Sequence, residues 1–338
     1  MHEFKHEELE ACLAENVIGF STLDGIEKFG KGQSNPTYKV TSGVRHFVLR
    51  AKPPGDLLKS AHAVDREFRV MSALSGSDVP VPQMFWLSDD NSPMGTQVFV
   101  MDFVEGHIHW NPNLKDLQPS PREKIYDQMN ATLASLHDVD VNKVGLADYG
   151  KSGNYFQRQT DRWTKQYRAS ETDKIADADW MIDWLNDNMV EDDGAVSIVH
   201  GDYRLDNMIF DASGNLQALL DWELSTLGHP MADLSYQVAF WRLPNQGKFK
   251  GLGGIDRAAL RLPSDEDYIA KYCERRGISK PKDWNFYMAF SMFRFMAIIQ
   301  GVLKRGLDGS ASNPLGLDFM KASVQYLAYD AKKIAQGC

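Results

Sequence analysis

His200-Gly201-Asp202-Tyr203-Arg204-Leu205-Asp206-Asn207, followed at a short distance by Leu219-Leu220-Asp221-Trp222-Glu223, decides how this chain is read. Asp202 is a possible base, Asn207 offers an amide further along the same stretch, and Asp221 is a lone carboxylate closing an apolar, strand-like run. Phosphoryl transfer needs a group that orients the attacking hydroxyl and hard oxygen ligands for a divalent ion, and this layout offers both. The competing account is structural: His200 and Asp202 stabilise a turn while Asp206 and Asn207 cap one. Each residue alone fits that account. Together, three oxygen side chains at the ends of apolar strands favour the metal-and-base reading. A zinc site is disfavoured, because no other histidine stands at ligand spacing.

Working outward, Ser197-Ile198-Val199, Met208-Ile209-Phe210 and Leu216 to Leu220 read as short strands of one β island, the last two joined as a hairpin by Asp211-Ala212-Ser213-Gly214-Asn215. Around the island lie long helical stretches, among them Pro121 to His137, Lys174 to Met189, Ser264 to Arg276, Trp284 to Lys304 and Leu317 to Ala335. The first hundred residues differ in character. A helix is followed by strands that include Phe47 to Arg50 and Gln97 to Met101, with a helix at Ala61 to Leu74 between them. The expectation is therefore an α+β protein of two lobes: residues 1–103, a small antiparallel sheet with one inserted helix, and residues 104–338, mostly helical.

The smaller lobe supplies nucleotide-binding candidates. In Phe29-Gly30-Lys31-Gly32-Gln33-Ser34-Asn35-Pro36-Thr37-Tyr38, glycines and small polar residues (Gly30, Gly32, Ser34, Asn35) would let a β-turn-β loop lie over phosphates, although a plain hairpin has the same composition. In the following strand Val48 and Arg50 share a face, so Val48 would roof an adenine while Arg50 reaches the phosphates. Lys52 has the same parity but stands against Pro53-Pro54, where the strand should end, so Arg50 is preferred. Glu67, one turn from both Val64 and Met71, is the candidate partner of that cation; a solvated surface glutamate is the alternative. Met101-Asp102-Phe103-Val104 joins the two parts; alone it reads only as a strand end, but in a two-lobed kinase such a linker offers backbone groups to the adenine.

Composition excludes other classes. The chain has 338 residues, 43% hydrophobic and 25% charged, and a formal charge of -9, which opposes a general nucleic-acid binder. Three scattered cysteines suit a reducing cytoplasm and supply neither a disulfide framework nor a zinc site. Met1 to Glu15 is charged throughout and lacks the apolar core of an export signal. Asn285 to Leu303 is the nearest approach to a membrane span, but Arg294 and Gln300 interrupt it, so a buried core helix is expected and no membrane partner.

These motifs resemble the aminoglycoside phosphotransferase-like kinases, which share the bilobal protein-kinase fold, and within them the branch of kinase-like domains that precede acyl-CoA dehydrogenase domains. The resemblance is carried by Phe29 to Tyr38, His46 to Arg50, Arg66-Glu67, Val199 to Asn207 and Asp221 to Gly228, and spans about Ile18 to Ala335. It implies ATP and Mg2+ as cofactors, Asp202 as catalytic base, Asn207 and Asp221 as metal ligands, Glu67 as partner of the phosphate-binding cation, and His200 and Asp233 as structural residues. Two departures stand out: Arg50 replaces the family's strand lysine, and Asp221-Trp222-Glu223 lacks the glycine of a protein kinase's Asp-Phe-Gly. No Ala-Pro-Glu segment is present, which disfavours a protein acceptor. The expected activity is transfer of phosphate to a small-molecule hydroxyl, a hydroxy acid or hydroxyacyl-CoA ahead of an aminoglycoside-like compound. A non-catalytic nucleotide-binding module is the alternative, and a protein kinase ranks third.

Overall fold

In the computed structural model, residues 4–30, 35–53, 63–89, 95–247, 249–309 and 316–337 are described. Gly25–Lys28 (β1), Thr37–Ser42 (β2), Arg45–Ala51 (β3), Met84–Leu87 (β4) and Val98–Asp102 (β5) form an antiparallel sheet in the order β1-β2-β3-β5-β4. Alternation along β3 divides its side chains between two packing layers. Phe47 and Leu49 are buried with Val98 and Val100 against Leu9 and Leu13 of the first helix, His6–Asn16 (α1). Val48, Phe99 and Met101 face the other way, toward Val64 and Met71 of Val64–Leu74 (α2) and the core of the larger lobe. This is the parity expected from the sequence, and it turns Arg50 toward the same side as Val48.

The remainder is mostly helical: Pro119–Asp138 (α3), Tyr155–Ser170 (α4), Ala176–Asp187 (α5), Met231–Arg242 (α6), Asp265–Arg276 (α7), Trp284–Leu307 (α8) and Leu317–Ala335 (α9). Helix α8 lies at the centre, packed on α9, α6 and α4. It is long and apolar enough to cross a membrane by length and composition, yet 89% of its most apolar window is buried inside the protein. Phe290, Phe293 and Met296 are fully buried there, each removing apolar surface worth about 2–3 kcal/mol from water. Arg294, the charge that interrupts this run, is also buried; its guanidinium donates to the Gly201 carbonyl and lies 4.9 Å from the Tyr236 ring centre. Its cost of burial is thus offset within the candidate site.

The β island differs from the single unit expected. Met208–Phe210 (β7) and Leu216–Leu219 (β8) pair as the predicted hairpin, but Ser197–Val199 (β6) pairs instead with Thr226–Gly228 (β9), a strand the sequence did not announce. The pairing brings the chain ahead of His200 alongside the chain that follows Asp221, so two short ladders hold the two polar loops side by side.

Candidate active site

The stretch after β6 is shaped by a glycine and a buried carboxylate. Gly201 has φ +85°, and a Cβ there would lie 2.7 Å from the Leu224 carbonyl oxygen, so a larger residue would be both strained and crowded. Asp233, fully buried on α6, accepts from the amides of His200 at 2.6 Å and Gly201 at 2.8 Å, and His137 Nε2 lies 3.4 Å away. Burial would push the Asp233 carboxyl up, but the hydrogen bonds it accepts, from His137 first and from the Gly201 amide, hold it below the usual carboxylate range. His200 then ties one loop to the other: Nε2 donates to the Leu220 carbonyl at 2.9 Å while Nδ1 accepts from the Asp202 amide at 3.2 Å. The ring rests on Trp222, 4.7 Å between centres.

Asp202, Asn207 and Asp221 are thereby gathered in one place. The Leu220 amide donates to the Asn207 carbonyl at 2.8 Å, setting Asp221 beside the loop that begins at Asp202. Asn207 Nδ2 donates both to the Asp202 carbonyl at 2.9 Å and to Asp202 Oδ2 at 3.0 Å, so its amide oxygen is the end not committed to Asp202. Residues that sequence reasoning missed complete the surroundings of Asp202. Tyr236 donates its hydroxyl to Oδ1 at 3.0 Å, and Arg204 Nε lies 3.5 Å from the same oxygen while its Nη2 donates to Asp206 at 2.7 Å. Burial would raise the Asp202 carboxyl; the Arg204 guanidinium and the Tyr236 hydroxyl outweigh it and hold the group below the ordinary range. Asp202 is therefore an anion at neutral pH, suited to accept a hydrogen bond from a hydroxyl and orient it.

Across the cleft, Arg50 on β3 reaches three carboxylates. Its Nε lies 3.0 Å from Glu67 Oε2, and its Nη2 lies 2.8 Å from Asp221 Oδ1 and 3.8 Å from Glu223 Oε2. Glu67 is buried rather than solvated, and Asn35 Nδ2 donates to its Oε1 at 2.7 Å. Lys52 lies beyond the last residue of β3. Val48 and Met101 are cross-strand neighbours, each with a small exposed remnant, whereas Phe103 is partly buried with its ring beside Lys39 and His46. Gly30 stands at the entry to the glycine loop; Gly32 and Ser34 lie outside the described residues. Among the described residues no cluster of His, Cys, Asp and Glu forms a metal site. The donor set that fits magnesium is instead one carboxylate and one amide oxygen, Asp221 and Asn207, consistent with an ion that takes few ligands from protein.

Burial, with the carboxylates around Arg50 adding to it, gives Glu67 an inverted pH dependence. Burial pushes its carboxyl up to about 7, the Arg50 charge pulling down and the Asp221 and Glu223 charges adding to the rise. Between the ordinary value of 4.5 and about 7 the folded state holds the proton that the unfolded chain has lost, so stability falls as pH rises through that window. Denaturant unfolding at pH 4.5 and 7.5 should show this decline in the wild-type protein and a shallower one in Glu67→Gln.

With this geometry in view, a profile of the phosphotransferase enzyme family matches residues 25–265. The chain belongs to that family. This phosphotransferase is 46% identical over 307 residues to mouse acyl-CoA dehydrogenase family member 10, the match covering 90% of this chain and 29% of the mouse protein. It spans about two fifths of an Arabidopsis thaliana relative, probable acyl-CoA dehydrogenase IBR3, at 41% identity. A crystal structure of a candidate aminoglycoside phosphotransferase from Ralstonia eutropha JMP134 superposes with TM-score 0.89 at 44% identity, covering 99% of both chains. Spectinomycin phosphotransferase in complex with ADP and spectinomycin shares the fold at TM-score 0.62 and 12% identity, covering 97% of this chain and 99% of that one. The phosphotransferase thus has the bilobal kinase-like fold of the aminoglycoside phosphotransferases.

Proposed function

We propose that this protein transfers the terminal phosphate of ATP, with Mg2+, to a hydroxyl group of a small molecule of the hydroxy-acid or hydroxyacyl-thioester class. The observation that carries the reading is the convergence of Asp202, Asn207 and Asp221 opposite the Arg50–Glu67 pair. Magnesium, when bound, would offset phosphate charge, with Asn207 and Asp221 as its protein ligands. Arg50 binds phosphate oxygens, kept in place by Glu67. Asp202 orients the acceptor hydroxyl; as the oxygen–phosphorus bond to the acceptor forms and the bond to ADP breaks, the hydroxyl proton passes to Asp202. Met101 and Val48 border the adenine.

What surrounds Asp202 supports this acceptor class. Arg204 lies between Asp202 and Asp206, with Arg294 nearby, so the carboxylates at this end of the site are already paired rather than open to a polycationic aminoglycoside. Within the acidic run that could attract one, Asp192 accepts from the Asn154 amide, and Asp193 lies 3.3 Å from His229. Next to Tyr236, the Phe295 ring borders a hollow of about 370 Å3 lined by Leu243, Phe249, Phe319 and Leu327, an apolar surface suited to an acyl chain. The acyl-CoA dehydrogenase names of the longer relatives agree with this class.

A coupled ADP-release assay over aminoglycosides and hydroxyacyl-CoA thioesters tests the reading: turnover is expected with the thioesters, and turnover with aminoglycosides alone would overturn the acceptor assignment. Tyr236→Phe removes a hydrogen bond to a charged oxygen, worth about 1.5–3 kcal/mol. It should lower kcat roughly 10- to 100-fold with KM for ATP unchanged, as read in the same assay.

A further inference from the structure

Arg50 stands where the resemblance led one to expect lysine and Glu223 where a protein kinase has glycine, and the structure places them together. Arg50 Nη2 is bonded to Asp221 Oδ1 at 2.8 Å, an oxygen of the carboxylate assigned above to magnesium, and lies 3.8 Å from Glu223 Oε2. A lysine ammonium is a single point of charge that Glu67 could hold by itself; the arginine fork leaves a second arm after Nε is spent on Glu67, and that arm falls on Asp221. A guanidinium and a metal ion then compete for one carboxylate. Glu223, on the 3-10 turn Trp222–Leu224 beside α2, is the acidic group within reach of the same nitrogen.

We propose that Glu223 is a positioning residue that draws the second arm of Arg50 away from Asp221, so that Asp221 can take the metal while Arg50 remains at the phosphates. Arg50 and Glu223 then act as a pair: the second arm of the arginine needs a carboxylate other than that of the metal-binding aspartate. The inference rests on the nucleotide-and-metal reading above. The competing view is that Glu223 only adds negative charge to the cleft, in which case its effect on metal affinity would be the same whichever cation occupies position 50.

A double-mutant cycle separates these views. ADP binding is measured by isothermal titration calorimetry at a series of Mg2+ concentrations for wild type, Glu223→Ala, Arg50→Lys and the double variant. Glu223 is partly exposed, so its truncation leaves the core intact, and circular dichroism checks the fold of all four. Glu223→Ala is expected to raise the Mg2+ concentration for half-maximal ADP binding by about fivefold or more, and by less than about twofold when made in the Arg50→Lys background. An equal shift in both backgrounds, or no shift in the wild-type background, would overturn the proposal. Wild-type protein that bound ADP with no dependence on Mg2+ would instead overturn the metal reading beneath it.

Discussion

Asp202→Asn is expected to lower kcat by about 10³-fold or more while the affinity for ATP changes by less than about twofold. The asymmetry comes from the geometry. Asp202 lies on the loop with Tyr236 and Arg204 around its carboxylate, whereas the groups assigned to phosphate, Arg50 and Glu67, stand on β3 and α2 across the cleft. An asparagine keeps the shape and an oxygen for the Tyr236 hydroxyl, but it can no longer receive the acceptor's proton. Asp202→Ala should be equally inactive, with an added stability loss because the Asn207 amide and the Tyr236 hydroxyl lose an acceptor. Single-turnover measurements alongside ATP binding by calorimetry check the pair. Equal losses in binding and turnover would move Asp202 from the chemistry to the architecture.

Asp233→Ala should have the largest effect on stability. The carboxylate is fully buried and accepts from the amides of two consecutive residues, His200 and Gly201, while facing His137. The same network continues outward, since His137 Nδ1 accepts from the Tyr272 hydroxyl at 2.6 Å. Removing the acceptor strands several buried donors at once, and breaking a buried pair of this kind costs about 3–5 kcal/mol. A lowered denaturation midpoint and loss of turnover together are expected, because the amides held by Asp233 set the loop that presents Asp202. Asp233→Asn, retaining one oxygen, should fall between. An unfolding free energy within about 0.5 kcal/mol of wild type would show that the loop is held by other contacts.

Much of this arrangement was legible in the sequence because it depends on short-range periodicity. Alternation in β3 assigned Val48 and Arg50 to one face, the turn of α2 placed Glu67 with Val64 and Met71, and the apolar runs at 208–210 and 216–219 gave the hairpin. What escaped was set by long-range contact. Strand β9, three residues ending in glycine, exists because β6 pairs with it. Tyr236 reaches Asp202 across 34 residues and Arg294 reaches Gly201 across 93, and nothing local marks either as part of a site. Helix α6 is buried on nearly all sides, which erases the polar stripe by which a helix and its inward residues are recognised. In α4 a stripe was present, at Phe156, Thr160, Trp163 and Tyr167, but it is built of residues with little helix propensity. Glu223 was visible as a difference from the glycine of a protein kinase; its place beside Arg50, brought to Asp221 from 171 residues away, was not.

The central claim is that Arg50, Glu67, Asn207 and Asp221 form one site for nucleotide and metal. Thermal unfolding with ATP alone, Mg2+ alone and both together tests it most directly. At ligand concentrations near 100 times Kd, stabilisation of about 2.7 kcal/mol is expected with both present, and little with either alone. No stabilisation under any of the conditions, or the same stabilisation with and without Mg2+, would contradict it.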